Sequence, residues 1–214
     1  MFPINELKNI ELQESKINGK HVIALLVVKP TDPGADEIIN NFNYFDKRSD
    51  KFCSIYPIGY SMHFENNYYD VKKVNGINNT SFEYSDTCFI EVCKQLKNRL
   101  KNWSYSGSPE LIVLQSKNPG TNNSYLDFRN YNYIDIDYGI KNNYIDTFPR
   151  FMERFLNACE TETDSNKAIV KSNFSMLSIR KILEMAIQET PKLPKSIKQV
   201  INDTIFFKSS TTHC

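Results

Sequence analysis

HVIALLVV, residues 21–28, places seven apolar side chains in a row, four of them β-branched. It is too short for a buried helix and lacks the alternation of a half-exposed strand. The reading that remains is a central β-strand covered on both faces, the kind found where helices pack against a sheet. Working outward from it, residues 29–34 (KPTDPG) form a turn cluster, and a helix is expected to follow. Asp32 is the expected N-cap and Pro33 the first helical residue, where its missing N–H costs nothing. Ile38, Ile39, Phe42 and Phe45 recur at helical spacing, with Asp36 and Glu37 near the positive end and Lys47 and Arg48 near the negative end. Residues 52–60 read as a second strand, which gives a β-α-β unit.

Downstream, Asn75-Gly76 suits a hairpin turn. The clearest helix follows Ser85 or Asp86 as cap. Phe89, Val92, Cys93, Leu96 and Leu100 form one stripe, opposite Glu91, Lys94, Lys97 and Lys101. Gly107 and Ser108-Pro109 precede a strand at 111–115, and a loop rich in Asn, Pro and Gly spans 116–124. The alternation over 131–138 predicts a strand with Asp135 and Asp137 on one face. A third helix is expected over 146–159, burying Phe148, Phe151, Met152, Phe155 and Leu156, with Pro149 tolerated in its first turn. The acidic stretch 160–166 (ETETDSN) reads as a linker. Beyond it lie two amphipathic helices, 174–188 and 196–207, separated by Pro191 and Pro194.

The expected architecture is therefore an α/β domain over 1–159, with two or three layers of sheet and helix. A linker at 160–166 joins it to a C-terminal amphipathic helical segment at 167–214. The order β-α-β-α-β-β-α resembles the thioredoxin-like layer, and Ser108-Pro109 falls where that fold usually carries its cis proline. Where redox members have C-x-x-C, this chain has Thr31-Asp32-Pro33-Gly34, so the resemblance implies a module without the thiol chemistry. A doubly wound, flavodoxin-type sheet is the alternative.

Composition narrows the function classes. The chain has 214 residues, 26 basic against 25 acidic side chains and a net charge of +1, so no global field gathers nucleic acid or anionic lipid. The start, residues 1–12, carries Glu6 and Glu11 and does not read as a signal peptide. The longest apolar run is about a third of a bilayer span, which leaves no membrane segment and a cytoplasmic expectation. Five unclustered cysteines fit reduced thiols. Seven glycines spread along the chain offer no phosphate cradle, and Asp32, Asp36 and Glu37 would repel an anion at the first helix start.

Three weak constellations carry chemistry. Asp135 and Asp137, a few ångströms apart on a strand face, suit a divalent cation but form an incomplete shell. Gln115-Ser-Lys117 resembles the Q-x-K variant of the restriction-endonuclease-like core, in which Lys117 would polarise a metal-bound water. The acid that such a site requires on a preceding strand is missing. Cys53 and Cys88 are expected nearer the surface than Cys93 and Cys159. The histidines available as a base are His21, His63 and His213, and His63 could approach Cys53 only by folding back. No cofactor or metal is expected.

The C-terminal segment favours binding. From Lys167 onward eight basic residues stand against three acids. Ile182, Lys195, Lys198 and Ile201 are the expected contact residues for a partner subunit, with nucleic acid the alternative occupant. The functional expectation is a non-catalytic accessory or adaptor subunit working within a multiprotein complex. The alternatives are a metal-dependent nuclease or phosphodiesterase using Lys117, Asp135 and Asp137, and a small-ligand sensor.

Overall fold

The computed structural model describes residues 1–172, apart from 18, 20, 50, 66–67, 102, 118–119, 122–123 and 144, together with 207–209. In chain order the elements are α1 (Leu7–Glu14), β1 (Val22–Val27), α2 (Ala35–Asn40), α3 (Phe42–Ser49), β2 (Cys53–Pro57), β3 (Tyr60–Ser61), β4 (Lys72–Asn75) and β5 (Ser81–Tyr84). There follow α4 (Asp86–Arg99), β6 (Glu110–Lys117), β7 (Tyr125–Leu126), β8 (Asn132–Asp135), α5 (Ile136–Lys141), α6 (Phe148–Thr161), α7 (Ser165–Ser172) and β9 (Phe207–Ser209).

As its uninterrupted apolar run requires, β1 lies inside the main sheet with all six residues buried. The sheet order is β2-β1-β6-β8-β9, and β7 adds to the far end of β6. β1 runs parallel to β2 and antiparallel to β6, and β6 runs antiparallel to β8. The four central strands thus have the order and directions of a thioredoxin-like sheet. The antiparallel pairs exclude the flavodoxin-type alternative, whose core strands are all parallel. The likeness stops short of the proline: there is no cis peptide bond among the described residues, Ser108–Pro109 included. A second sheet, β3-β5-β4, is inserted between β2 and α4.

Short segments of the chain lie along both β2 and β8. The N-terminal residues run beside β2, where the Phe2 N–H donates to the Ile55 carbonyl (2.9 Å) and the Ile4 N–H to that of Pro57 (3.0 Å). On the other side β9 pairs with β8, Ile134 opposite Phe207.

Several sequence expectations shift. The helix after β1 starts at Ala35, behind Gly34 at φ +74°, and not at Pro33. The Asp32 carboxylate instead closes the preceding turn by accepting from the Lys29 N–H at 2.7 Å. That helix also breaks at Asn41 and resumes as α3. The strand expected over 131–138 ends at Asp135, and α5 begins at the next residue. Within the acidic stretch 160–166, α6 runs to Thr161 and α7 begins at Ser165, so residues 162–164 connect the two helices, and Ala168 and Ile169 beyond them are buried in the core. The expected helices at 174–188 and 196–207 lie outside the described residues, except Phe207, which is in β9. Ser85 caps α4 as expected, its hydroxyl accepting from the Cys88 N–H at 3.1 Å.

Candidate functional site

In an open α/β sheet the natural place for chemistry is the mouth beyond the carboxyl ends of the parallel strands. Here that mouth is plugged by aromatic rings. Phe42, Tyr60, Tyr84, Phe89 and Tyr105 follow one another at centroid spacings of 5.6, 5.0, 6.1 and 5.0 Å. The small sheet and α4 supply three of the five rings, so the insertion after β2 is what closes the mouth.

The polar groups among these rings are partnered with one another. Tyr60 Oη donates to the Val28 carbonyl (3.0 Å), and Tyr105 Oη donates to Asp32. Asp86 receives Tyr84 Oη at 3.0 Å, Lys29 Nζ at 3.0 Å and Lys72 Nζ at 3.3 Å. Burial alone would raise its carboxyl pKa, but these donors outweigh it and hold the group below the usual carboxylate range. For Asp32 the balance is reversed: burial keeps its carboxyl above the usual value despite the hydrogen bond from Tyr105. Glu110, fully buried at the start of β6, accepts from Trp103 Nε1 (2.7 Å) and the Ser106 N–H (2.8 Å). Burial raises its pKa as well.

The proposed metal and nuclease residues are not brought together. Asp135 is the N-cap of α5, accepting from the Tyr138 N–H at 2.9 Å. Asp137 lies in that helix's first turn and pairs with Lys141 at 2.6 Å. The two therefore do not share a strand face. Lys117 ends β6 and pairs with Asp127 at 3.0 Å, whereas Asp135 lies opposite Glu110 at the start of β6. Seven residues of extended strand separate the two positions, about 23 Å. No group of three or more His, Cys, Asp or Glu suited to a metal ion occurs among the described residues.

The thiols depart from expectation too. Cys53 and Cys88 are both buried, not superficial. Burial pushes the Cys88 and Cys93 thiols up to about 12, and the Cys53 thiol, beside Cys159, well above its ordinary value. Such thiols are poor nucleophiles. His63 is exposed and faces Glu83 at 3.4 Å, away from the cysteines. His21 is buried, its Nε2 within 2.9 Å of Ser54 Oγ and 3.0 Å of Glu14 Oε2, while Tyr56 Oη donates to the other Glu14 oxygen at 2.6 Å. A serine and an acid on the same ring nitrogen do not make a relay, which needs one on each. Burial alone would lower the His21 pKa, but the hydrogen bond and charge of Glu14 raise it on balance. This is a structural pair beneath α1.

Ile182, Lys195, Lys198 and Ile201 lie outside the described residues. Two surface regions that the sequence reading did not single out frame α4. At its N-terminal end, the segment before β4 is laid across the first turns of the helix. Asp70 accepts from Ser85 Oγ (2.6 Å) and the Thr87 N–H (2.8 Å), and Tyr68 Oη donates to Glu91 (3.0 Å). This segment and the helix beside it display Tyr69, wholly exposed, with Val71 and Ile90. At the C-terminal end of α4 an open cleft of about 710 Å³ is lined by Arg99, Lys117, Tyr125, Asp127, Phe128 and Arg129 among others. One signal for the cleft was present in the sequence: residues 92–109 carry Lys94, Lys97, Arg99 and Lys101 and not one carboxylate.

Among the described residues no helix is long and apolar enough to cross a membrane. Compared with known proteins, the chain matches no family model, no curated protein and no solved structure.

Proposed function

We propose that this chain is a non-catalytic accessory module that works in the cytoplasm by binding a partner protein. The observation that carries this reading is the surface at the start of α4. The 68–72 segment is fixed to the helix by Asp70 and Tyr68, yet it leaves the Tyr69 ring entirely in solvent, and Val71 in the same segment and Ile90 on the helix are exposed as well. An aromatic side chain held out from an anchored backbone segment, with exposed apolar residues in the same segment and on the adjoining helix, is the form of an interface anchor. The mouth supports the same reading, because its acids, lysines and tyrosines hold one another and fill the space a substrate would need.

The test is affinity purification of the full chain from its native lysate, side by side with a Tyr69→Ser/Ile90→Ser variant. A stoichiometric protein partner retained by the parent and lost by the variant, with folding unchanged by circular dichroism, is the expected result. A parent chain that elutes alone and monomeric, even after mild cross-linking, would overturn the reading.

A further inference from the structure

From the cleft at the C-terminal end of α4 we infer a second binding site, for single-stranded nucleic acid. It lies at the other end of a 14-residue helix from Tyr69, about 20 Å away. Three structural parts converge there. α4 contributes Asn98 and Arg99, β6 contributes Lys117, and the β7 hairpin with its following turn contributes Tyr125, Phe128, Arg129 and Asn130. A smaller cavity of about 260 Å³ shares Asn98, Arg99 and Phe128 with it and continues between α1 and α4 past Lys8, Glu11 and Gln95.

The chemistry of the lining selects the ligand. Arg99, Lys117 and Arg129 face one carboxylate, Asp127, in the main cleft, so the lining carries a net positive charge on a chain that is nearly neutral overall. Asp127 is buried and acts as a brace. It accepts from Asn130 Nδ2 (2.9 Å) and the Arg129 N–H (3.3 Å) and holds Lys117 Nζ at 3.0 Å. That arrangement fixes the turn carrying Arg129 and keeps the Lys117 ammonium, half exposed, at the cleft wall. Interleaved with the cations are two rings: Tyr125 is 52% exposed, and Phe128 has the Arg99 guanidinium 5.9 Å from its centroid. A purely anionic partner such as an acidic peptide needs the charges and has no use for the rings. Cations that track a backbone, alternating with faces on which bases stack, are the features that unpaired nucleic acid uses. The side-chain amides of Asn98 and Asn130 add donors and acceptors without selecting a sequence.

The site is tested with the full chain and a fluorescein-labelled 12-nucleotide oligo-dT or oligo-U, read by anisotropy, with inorganic polyphosphate and poly-glutamate as base-free competitors. Binding is expected in the micromolar range at low salt. The logarithm of affinity should fall against that of salt concentration with a slope of about −2, as three phosphate contacts on a single strand predict. Arg99→Glu/Arg129→Glu should weaken binding at least about tenfold. The control Lys47→Glu/Lys51→Glu, with the same charge change on and just after α3, should weaken it less than about twofold. Tyr125→Ala should weaken the oligonucleotide several-fold and leave polyphosphate unaffected. Three results would overturn the site: no binding at about 100 μM protein in low salt, equal losses in groove and control variants, or competitors that bind as tightly as the oligonucleotide with Tyr125→Ala silent. None of these outcomes bears on the Tyr69 surface, whose own variant leaves the groove intact.

Discussion

The two ends of the main sheet have been built in opposite ways from similar materials. At the end where β1 and β2 finish, tyrosines, carboxylates and lysines are present in number, and they are paired with one another beneath a stack of rings. At the end where β6 finishes, arginines, a lysine and two rings border an open cleft, with one buried acid bracing them from below. The difference lies in what the chain inserts. After β2 it adds a three-stranded sheet that folds over the mouth, whereas after β6 it adds a two-residue strand and a turn, and among the described residues no second layer covers the cleft beside them. Covering polar groups with a second sheet turns them into structure; placing them along the rim of a cleft leaves them partly exposed.

The contrast can be broken first at Gly59. It sits at φ +81° between β2 and β3, and an added Cβ would lie 2.7 Å from Phe89 Cβ and 2.8 Å from Phe89 Cα. Gly59→Ala therefore combines left-handed strain with overpacking against helix backbone. It should lower unfolding free energy by about 3 kcal/mol or more in urea titration. A loss under about 1 kcal/mol would mean that the small sheet is not locked onto α4. Glu110→Ala removes the acceptor of Trp103 and Ser106 and should lower stability by about 2–3 kcal/mol by the same measurement. Tyr105→Phe deletes one hydrogen bond to a partly buried carboxylate and should lower stability by about 1 kcal/mol. At the open end, Lys117→Ala removes a half-exposed ammonium from Asp127, which keeps its donors from Asn130 and the Arg129 N–H, and should change stability by no more than about 1 kcal/mol. If Lys117→Ala proved as damaging as Glu110→Ala, the distinction between the two ends would fail.

A pH series sharpens the comparison from beneath α1. Because Glu14 raises the folded-state pKa of His21, the folded chain holds that proton more tightly than the unfolded one. The resulting stabilisation is fully present below the unfolded histidine value, about 6.5, and is lost as pH rises through the higher folded value. Chemical denaturation from pH 6 upward should show this decline in the parent and a flatter profile in Glu14→Gln. Identical slopes would show that the pair is not charged.

The sequence made the interior legible and the surface much less so. The run at 22–28 and the single apolar stripe of α4 can be read from one-dimensional spacing, because burial repeats with the period of the element that carries it. The alternation over 131–138 misled for a local reason. Two turns' worth of period-two pattern end at Asp135, whose carboxylate caps a helix, and the Asp137–Lys141 pair at i, i+4 marked that helix in advance. Neither the plug of rings nor the groove could be read from spacing, because their members come from segments far apart in the chain. Tyr60, Tyr84 and Tyr105 meet only once the small sheet has folded over, and Arg99 reaches Phe128 only across the β6 hairpin. On composition alone the acidic 160–166 stretch reads as a spacer. Its carboxylates stand where α6 gives way to α7, as in the Lys171–Glu162 pair at 3.6 Å.

The segments laid along β2 and β8 bear on how this sheet could be extended. Residues 2–4 lie along β2 and β9 lies along β8, so each of these two strands has a segment of its own chain on the side away from β1 and β6. A foreign strand pairing with β2 or β8 would first have to displace one of these segments, which discourages strand-to-strand stacking at those two positions.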